Sequence, residues 1–400
     1  MNRARDAGSA LFGAHPACRQ PDLIASAHVP ARAAGAVARL AAALGPVPFA
    51  AVILFVSPEA DLPALGAEVP LAFGPTRVIG CTTAGEISAE GYAEGELVAV
   101  GLPAGLFVAE PLLIADLSAL QPHEIAGRLI RARAMLARAR PGWEHEFAFL
   151  MVDGLSTRED ELAAVLASGL GPVPLFGGSA GDGNRFGRTF VLHDGMMRQN
   201  AAVVMLVRTC CPVRVFSLDH LVPTERRMVV TGADPARRIV HRINAEPAAL
   251  EYARLLGKDP AQLTPFTFAA HPVVVRIGGR HHVRAIQQVM ANGDLVFYSA
   301  IDEGLVLTLA EGQDMVAHLE RELARLGEGG RPQAILAADC ILRRMEAQEK
   351  QLSGAVSAIL RRFGVVGFST YGEQMNAMHV NQTMTGVAIY PPQDDRGEAP

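Results

Sequence analysis

Three short segments carry a small hydroxyl residue, a glycine and an acid in one order. They are Gly80-Cys81-Thr82-Thr83-Ala84-Gly85-Glu86, Phe176-Gly177-Gly178-Ser179-Ala180-Gly181-Asp182 and Gly367-Phe368-Ser369-Thr370-Tyr371-Gly372-Glu373. Aligned without gaps, each reads Thr or Ser, one free position, Gly, then an acid. Glycine after a hydroxyl residue admits left-handed backbone angles that other residues resist. Such a turn exposes successive backbone N–H groups, and the hydroxyl and carboxylate add a donor and an acceptor. Thr83, Glu86, Ser179, Asp182, Thr370 and Glu373 are therefore candidate ligand-binding residues, and their acids suit a small polar metabolite with an ammonium group. The plainer role of the same residues is to cap turns and satisfy nearby backbone donors.

A second candidate is His379, within Met375-Asn376-Ala377-Met378-His379-Val380-Asn381-Gln382-Thr383-Met384. A flat apolar cofactor with one metal position needs this mix, a neutral imidazole to ligate and soft side chains to pack. The alternative is a hydrogen-bonded histidine in a methionine-rich core. His281 and His282 fall in a turn, where exposure is expected. Gly178, Gly181 and Gly183 do not make a nucleotide loop, since their order is wrong and no lysine follows. Cys81 reads as a small buried cysteine. No nucleophile-elbow serine, HExxH or paired CxxC occurs, so nothing supports enzymatic chemistry.

The elements around the turns repeat. Gly85, Gly181 and Gly372 are separated by 96 and 191 residues, close to one and two units of a common length. Apolar, strand-like runs precede them at 51–56, 147–152 and 334–338, and others follow at 97–100, 201–207 and 386–390. This is a chain of repeated α/β units. The stretch 212–326 has strands and helices but no copy of the turn, leaving a vacancy near residue 277. Asp194-Gly195 is a hairpin signal. Residues 340–362 read as one helix. A boundary falls at 208–212, where Cys210-Cys211-Pro212 ends a long strand. The fold class is α/β, with mixed sheets covered by helices.

Bulk properties narrow the classes further. Four hundred residues, half of them apolar, exceed one ordinary core. No apolar run approaches the roughly 20 residues of a membrane helix, and the N-terminus lacks a compact apolar segment. A net charge of −5 argues against binding nucleic acid through its phosphates. Arg128, Arg131, Arg133, Arg138 and Arg140 read as a solvated helix face, and Arg343, Arg344, Arg361 and Arg362 form a later basic stretch. Five cysteines, with Cys210 and Cys211 adjacent, suit a reducing cytoplasm better than a disulfide framework.

The three turn segments, with Val78-Ile79 before the first, resemble the FIST family of sensory proteins over roughly residues 35–390. The resemblance implies a flexible segment 1–30, a FIST N domain 31–210, a FIST C domain 211–391 and a tail 392–400. The block from Gly367 through Thr383, with Asp339-Cys340-Ile341-Leu342-Arg343-Arg344 upstream, is similar to the branch of bacterial nitric-oxide-sensing haemoproteins called NosP. What that implies is noncovalent haem b with His379 as axial iron ligand, and nitric oxide as the sensed gas. It also implies a separate signalling partner, a histidine kinase or a diguanylate cyclase/phosphodiesterase, commonly in control of biofilm formation. FIST domains at large have been proposed to bind small ligands such as amino acids, and the resemblance implies no enzymatic activity.

Overall fold

The computed structural model describes residues 23–392 except residue 278. Residues 1–22 and 393–400, most of the two segments expected to be flexible, lie outside the described residues. Residues 25–30 do not belong with them: Ala25–Pro30 is an edge strand, paired antiparallel with Glu96–Pro103. Its own sequence is a poor strand; the hydrogen-bonding edge offered by residues 96–103 decides its conformation.

Three units share one element order. The first runs strand Ala25–Pro30, helix Ala36–Leu44, strand Phe49–Val56, helix Leu62–Phe73 and strand Val78–Thr82, then the turn, a short hairpin and strand Glu96–Pro103. The second repeats this from Phe107–Ile114 to Ala202–Thr209, and the third from Val213–Leu218 to Met384–Ile389. The vacancy near residue 277 is not a missing repeat. Residues 221–312 are an insertion into the third unit, between its first strand and the helix Met315–Arg325. The insertion builds its own eight-stranded sheet, packed by Ala248–Leu256 and Pro265–Ala270.

Each unit contributes four strands to a six-stranded sheet and takes the last two from another unit. The hairpin Glu86–Ser88 and Gly91–Ala93 of the first unit pairs with Val365–Thr370 of the third. The hairpin Val191–His193 and Met196–Arg198 of the second pairs with Val78–Thr82 of the first. The hairpin Glu373–Met375 and Met378–Val380 of the third pairs with Leu175–Ser179 of the second. The exchange closes a three-membered ring. Within each sheet one pair, such as Phe49–Val56 with Val78–Thr82, is parallel and the others are antiparallel, so the sheets are mixed.

The inner faces of the three sheets meet in one core. Phe55 stacks on Phe368 with ring centroids 4.7 Å apart and meets Phe149 edge-on at 6.4 Å. The outer faces are covered by the helices of their own units. Asp194 and Gly195 have φ of 49° and 75° and turn the second hairpin as their sequence requires. The helix expected over 340–362 is two helices, Ile341–Glu349 and Ser353–Arg362, separated where Gln351 has φ of 58°. The first is buried along nearly its whole length, between the central body and the insertion, while the second covers its sheet on one side only. Those two packing requirements point in different directions, which one straight helix cannot meet.

Candidate functional site

The hairpin exchange brings all three turns to one place and joins them by their backbones. Gly181 and Gly183 donate their N–H groups to Thr82 and Thr83 carbonyls at 3.0 and 3.1 Å. Ala84 donates to Ser369 at 2.9 Å and Ser369 to Gly85 at 2.7 Å, while Ser179 donates to Gly372 at 2.8 Å. Only Gly85 of the three turn glycines has the left-handed backbone, with φ of 131°. At Gly181 and Gly372 close approach is the reason for glycine. A Cβ on Gly181 would lie 2.7 Å from the Ala84 nitrogen, and one on Gly372 would lie 2.3 Å from His379 Cε1.

The six hydroxyl and acid residues turn largely inward. Thr83 Oγ1 donates to Glu86 Oε1 at 2.5 Å, and Glu86 Oε2 accepts the Glu96 N–H at 3.2 Å. Glu373 does the same one unit away, its Oε2 accepting from Thr383 N–H at 3.0 Å and Thr383 Oγ1 at 2.7 Å. In both cases the acid closes the base of a hairpin ten residues long. Thr370 Oγ1 lies 2.7 Å from the Ser179 carbonyl, and Ser179 Oγ accepts from Gln374 Nε2 at 3.0 Å. Local hydrogen bonding explains Thr83, Ser179 and Thr370 and one oxygen of Glu373, whose Oε1 is buried without a partner, and none of these four lines the cleft described below.

Burial raises the Glu86 carboxyl to about 7, against the lowering pull of Thr83, the Glu96 N–H and Arg344. Burial likewise pushes Glu373 well above the usual carboxylate range. A carboxyl with a raised native pKa holds its proton more tightly folded than unfolded, so its stabilisation is lost as pH rises. For Glu86 that loss spans the ordinary carboxylate range to about 7. Glu86→Gln is therefore expected to flatten the pH dependence there, by at most about 3 kcal/mol. Denaturant melts of both proteins at about pH 5 and pH 7.5 check this; parallel changes would refute it.

Asp182 has a different task. The second turn is followed by a longer loop, and Asp182 Oδ2 accepts the N–H groups of Gly187 at 2.9 Å and Arg188 at 2.8 Å. Tyr371 donates its hydroxyl to the other oxygen. The carboxylate thus holds residues 183–188 as a fixed arch. Arg185 and Arg188 stand on that arch, exposed, and neither pairs with a carboxylate among the described residues. Arg185 donates only to backbone carbonyls, Asp182 at 3.1 Å and Pro58 at 3.4 Å, and Arg188 lies over the Phe190 ring.

The arch borders two adjoining hollows that share Pro58, Asp182 and Arg185. The larger, about 910 Å³, lies against the start of helix Leu62–Phe73, where Asp61 caps the Ala64 N–H at 3.1 Å and fixes the helix end. The smaller, about 430 Å³, is walled by Glu86, Arg185 and the buried Arg344. Arg344 donates to the carbonyls of Ala93 at 2.7 Å and Glu86 at 3.3 Å, tying the third unit to the first. Both hollows open at the carboxyl ends of the parallel strands, where α/β sheets bind ligands. Arg185 and Arg188 gave no signal in the sequence beyond their place after the second turn. Arg343 and Arg344 looked like part of a basic stretch yet are buried.

His379 is buried, with Nδ1 3.1 Å from Gln374 Nε2 and no partner for Nε2. Burial holds its pKa below the usual value, so the imidazole is neutral and chemically able to ligate a metal. The surroundings do not fit a haem. Nε2 faces Gly372, where a Cβ would lie 2.7 Å away. Strand alternation sends His379 inward while Met378 and Val380, with Met375, line a groove on the opposite face. Met384 is in the core of the third unit. Cys81 is fully buried and its thiol is pushed up by burial, so it is no nucleophile.

A three-unit α/β body with a preformed polar cleft, its acids spent on structure, defines a ligand-binding module. Models of known families agree: a FIST N domain matches residues 50–246 and a FIST C domain matches residues 248–376. The chain belongs to the FIST family, whose domains are sensory ligand-binding modules. The line between the two matches falls inside the insertion. No curated protein matches the chain. No helix among the described residues is long and apolar enough to cross a membrane.

Proposed function

We propose that this protein is a non-enzymatic sensor whose ligand, a small polar metabolite such as an amino acid, binds in the cleft beside the joined turns. The observation that carries this reading is the arch pinned by Asp182, which holds Arg185 and Arg188 on the cleft wall without carboxylate partners. The arch also has a second face. Phe186, between the two arginines, packs on Tyr371 with centroids 4.6 Å apart and on Tyr298 of the insertion at 5.9 Å. A ligand that moves the arginines therefore moves a residue wedged against the insertion, which is a route from cleft to output surface. The partner is a histidine kinase or a cyclic-di-GMP enzyme, on the ground of the family resemblance alone.

Ligand binding to the native state raises the melting temperature. A panel of amino acids and related metabolites is expected to contain compounds that stabilise the native chain but not the Arg185→Ala/Arg188→Ala variant. A panel without any such compound would remove this reading. The haem reading keeps one observation in its favour, the partnerless Nε2 of His379. A stoichiometric Soret band that disappears in His379→Ala would restore it.

A further inference from the structure

The lining of the larger hollow combines two kinds of residue that ask for different chemistry. One kind is cationic, Arg185 and Arg188. The other is apolar, Leu62, Pro63, Phe190 and Met197, from the helix start, the strand entry and the exchanged hairpin. Both acids on this wall are engaged, Asp182 with Tyr371 and the arch N–H groups, and Asp61 with its helix end. The Arg188 guanidinium sits 5.3 Å from the Phe190 ring centroid, so cation and apolar wall adjoin. The hollow's volume of about 910 Å³ leaves room for a substituent of ring size beyond the charged head.

We infer that the ligand is an organic carboxylate bearing an apolar substituent, with its head at Arg185 and Arg188 and its tail along Leu62, Pro63, Phe190 and Met197. This rests on the reading of the cleft as the ligand site and adds the class of compound. A planar guanidinium pairs with a carboxylate through two parallel hydrogen bonds, and two of them on one wall favour an anion over a cation of equal shape. Each methylene added to the tail removes more apolar surface from water.

The test is calorimetric titration of the full chain with acetate, phenylacetate, 3-phenylpropionate and 4-phenylbutyrate. 4-Phenylbutylamine serves as the charge-reversed control. Affinity is expected to rise about fourfold per added methylene from phenylacetate to 4-phenylbutyrate, with acetate, which lacks the ring, the weakest. The amine is expected to bind at least about tenfold more weakly than the matching acid, and Arg185→Ala/Arg188→Ala to lose at least about tenfold for 4-phenylbutyrate. Both arginines are exposed, so the variant should melt like the parent in the absence of ligand. If polar amino acids bind while chain length and charge sign make no difference, the carboxylate class is overturned and the cleft stands. If carboxylates bind but the double variant binds them equally well, their placement at these arginines is overturned. If acids, amine and amino acids all fail to bind, the cleft reading falls as well.

Discussion

Asp339→Ala is expected to destabilise the protein by about 3–5 kcal/mol, the range for removing one partner of a buried ion pair. Asp339 is the penultimate residue of the strand Ala334–Cys340 and accepts from Arg343 Nε at 2.7 Å, with both side chains almost completely buried. Tyr92 of the first unit's exchanged hairpin donates its hydroxyl to the same carboxylate. Arg343 Nη1 lies 3.0 Å from His220 Nδ1, and His220 Nε2 lies 2.9 Å from Glu346. His220 stands where the chain enters the insertion, and its carbonyl accepts from Gln313 N–H at 2.8 Å, where the chain leaves. Removing the carboxylate leaves a buried guanidinium without its directly bonded counter-charge, Glu346 reaching it only through His220, at the junction of two units and the insertion. Asp339→Asn, which keeps an acceptor but not the charge, should fall between the two. Denaturant unfolding of the three proteins measures this; a loss below about 1 kcal/mol for Asp339→Ala would show the network to be dispensable.

Asp182→Ala is expected to remove both stability and sensing. Two N–H groups bonded to a carboxylate are worth about 1.5 kcal/mol or more each, so the loss should reach about 3 kcal/mol. The arch would then lose the anchors that place Arg185 and Arg188, and ligand-induced stabilisation should vanish with them. Asp182→Glu is the informative companion, because the charge remains while the longer side chain cannot reach the same N–H groups unstrained. Ligand response retained in Asp182→Ala at native strength would mean that the arch does not position the binding groups.

Much of the fold was legible in the chain. The three apolar runs before the turns are the central strands, buried on both faces, and a short uninterrupted apolar run announces such a strand without its partners. Asp194-Gly195 announced its hairpin by the same local logic. The partner of each hairpin was not legible. A strand of three residues carries too little side-chain information to select one edge over another, and hairpins of adjacent units would read alike whether exchanged or not. The apparent fourth repeat length was a coincidence of an insertion with nearly the size of a unit, and spacing alone does not separate the two.

The candidate residues divide along the same line. Sequence by itself determined that three hydroxyl-glycine-acid turns exist, that each sits between apolar strand runs of a repeated α/β unit, and that no nucleophile-elbow serine, HExxH or paired CxxC accompanies them. Those are properties of residue type and local backbone freedom, which the chain carries before it folds. Tertiary structure alone decided that the turns meet, that Glu86 and Glu373 close hairpins while Asp182 holds an arch, and that His379 and its neighbouring methionines face opposite ways. It also decided that the cleft's unspent charges are arginines. An acid's availability depends on which N–H groups surround it after folding, and those donors come from residues far away in sequence or from a loop whose length the motif does not record.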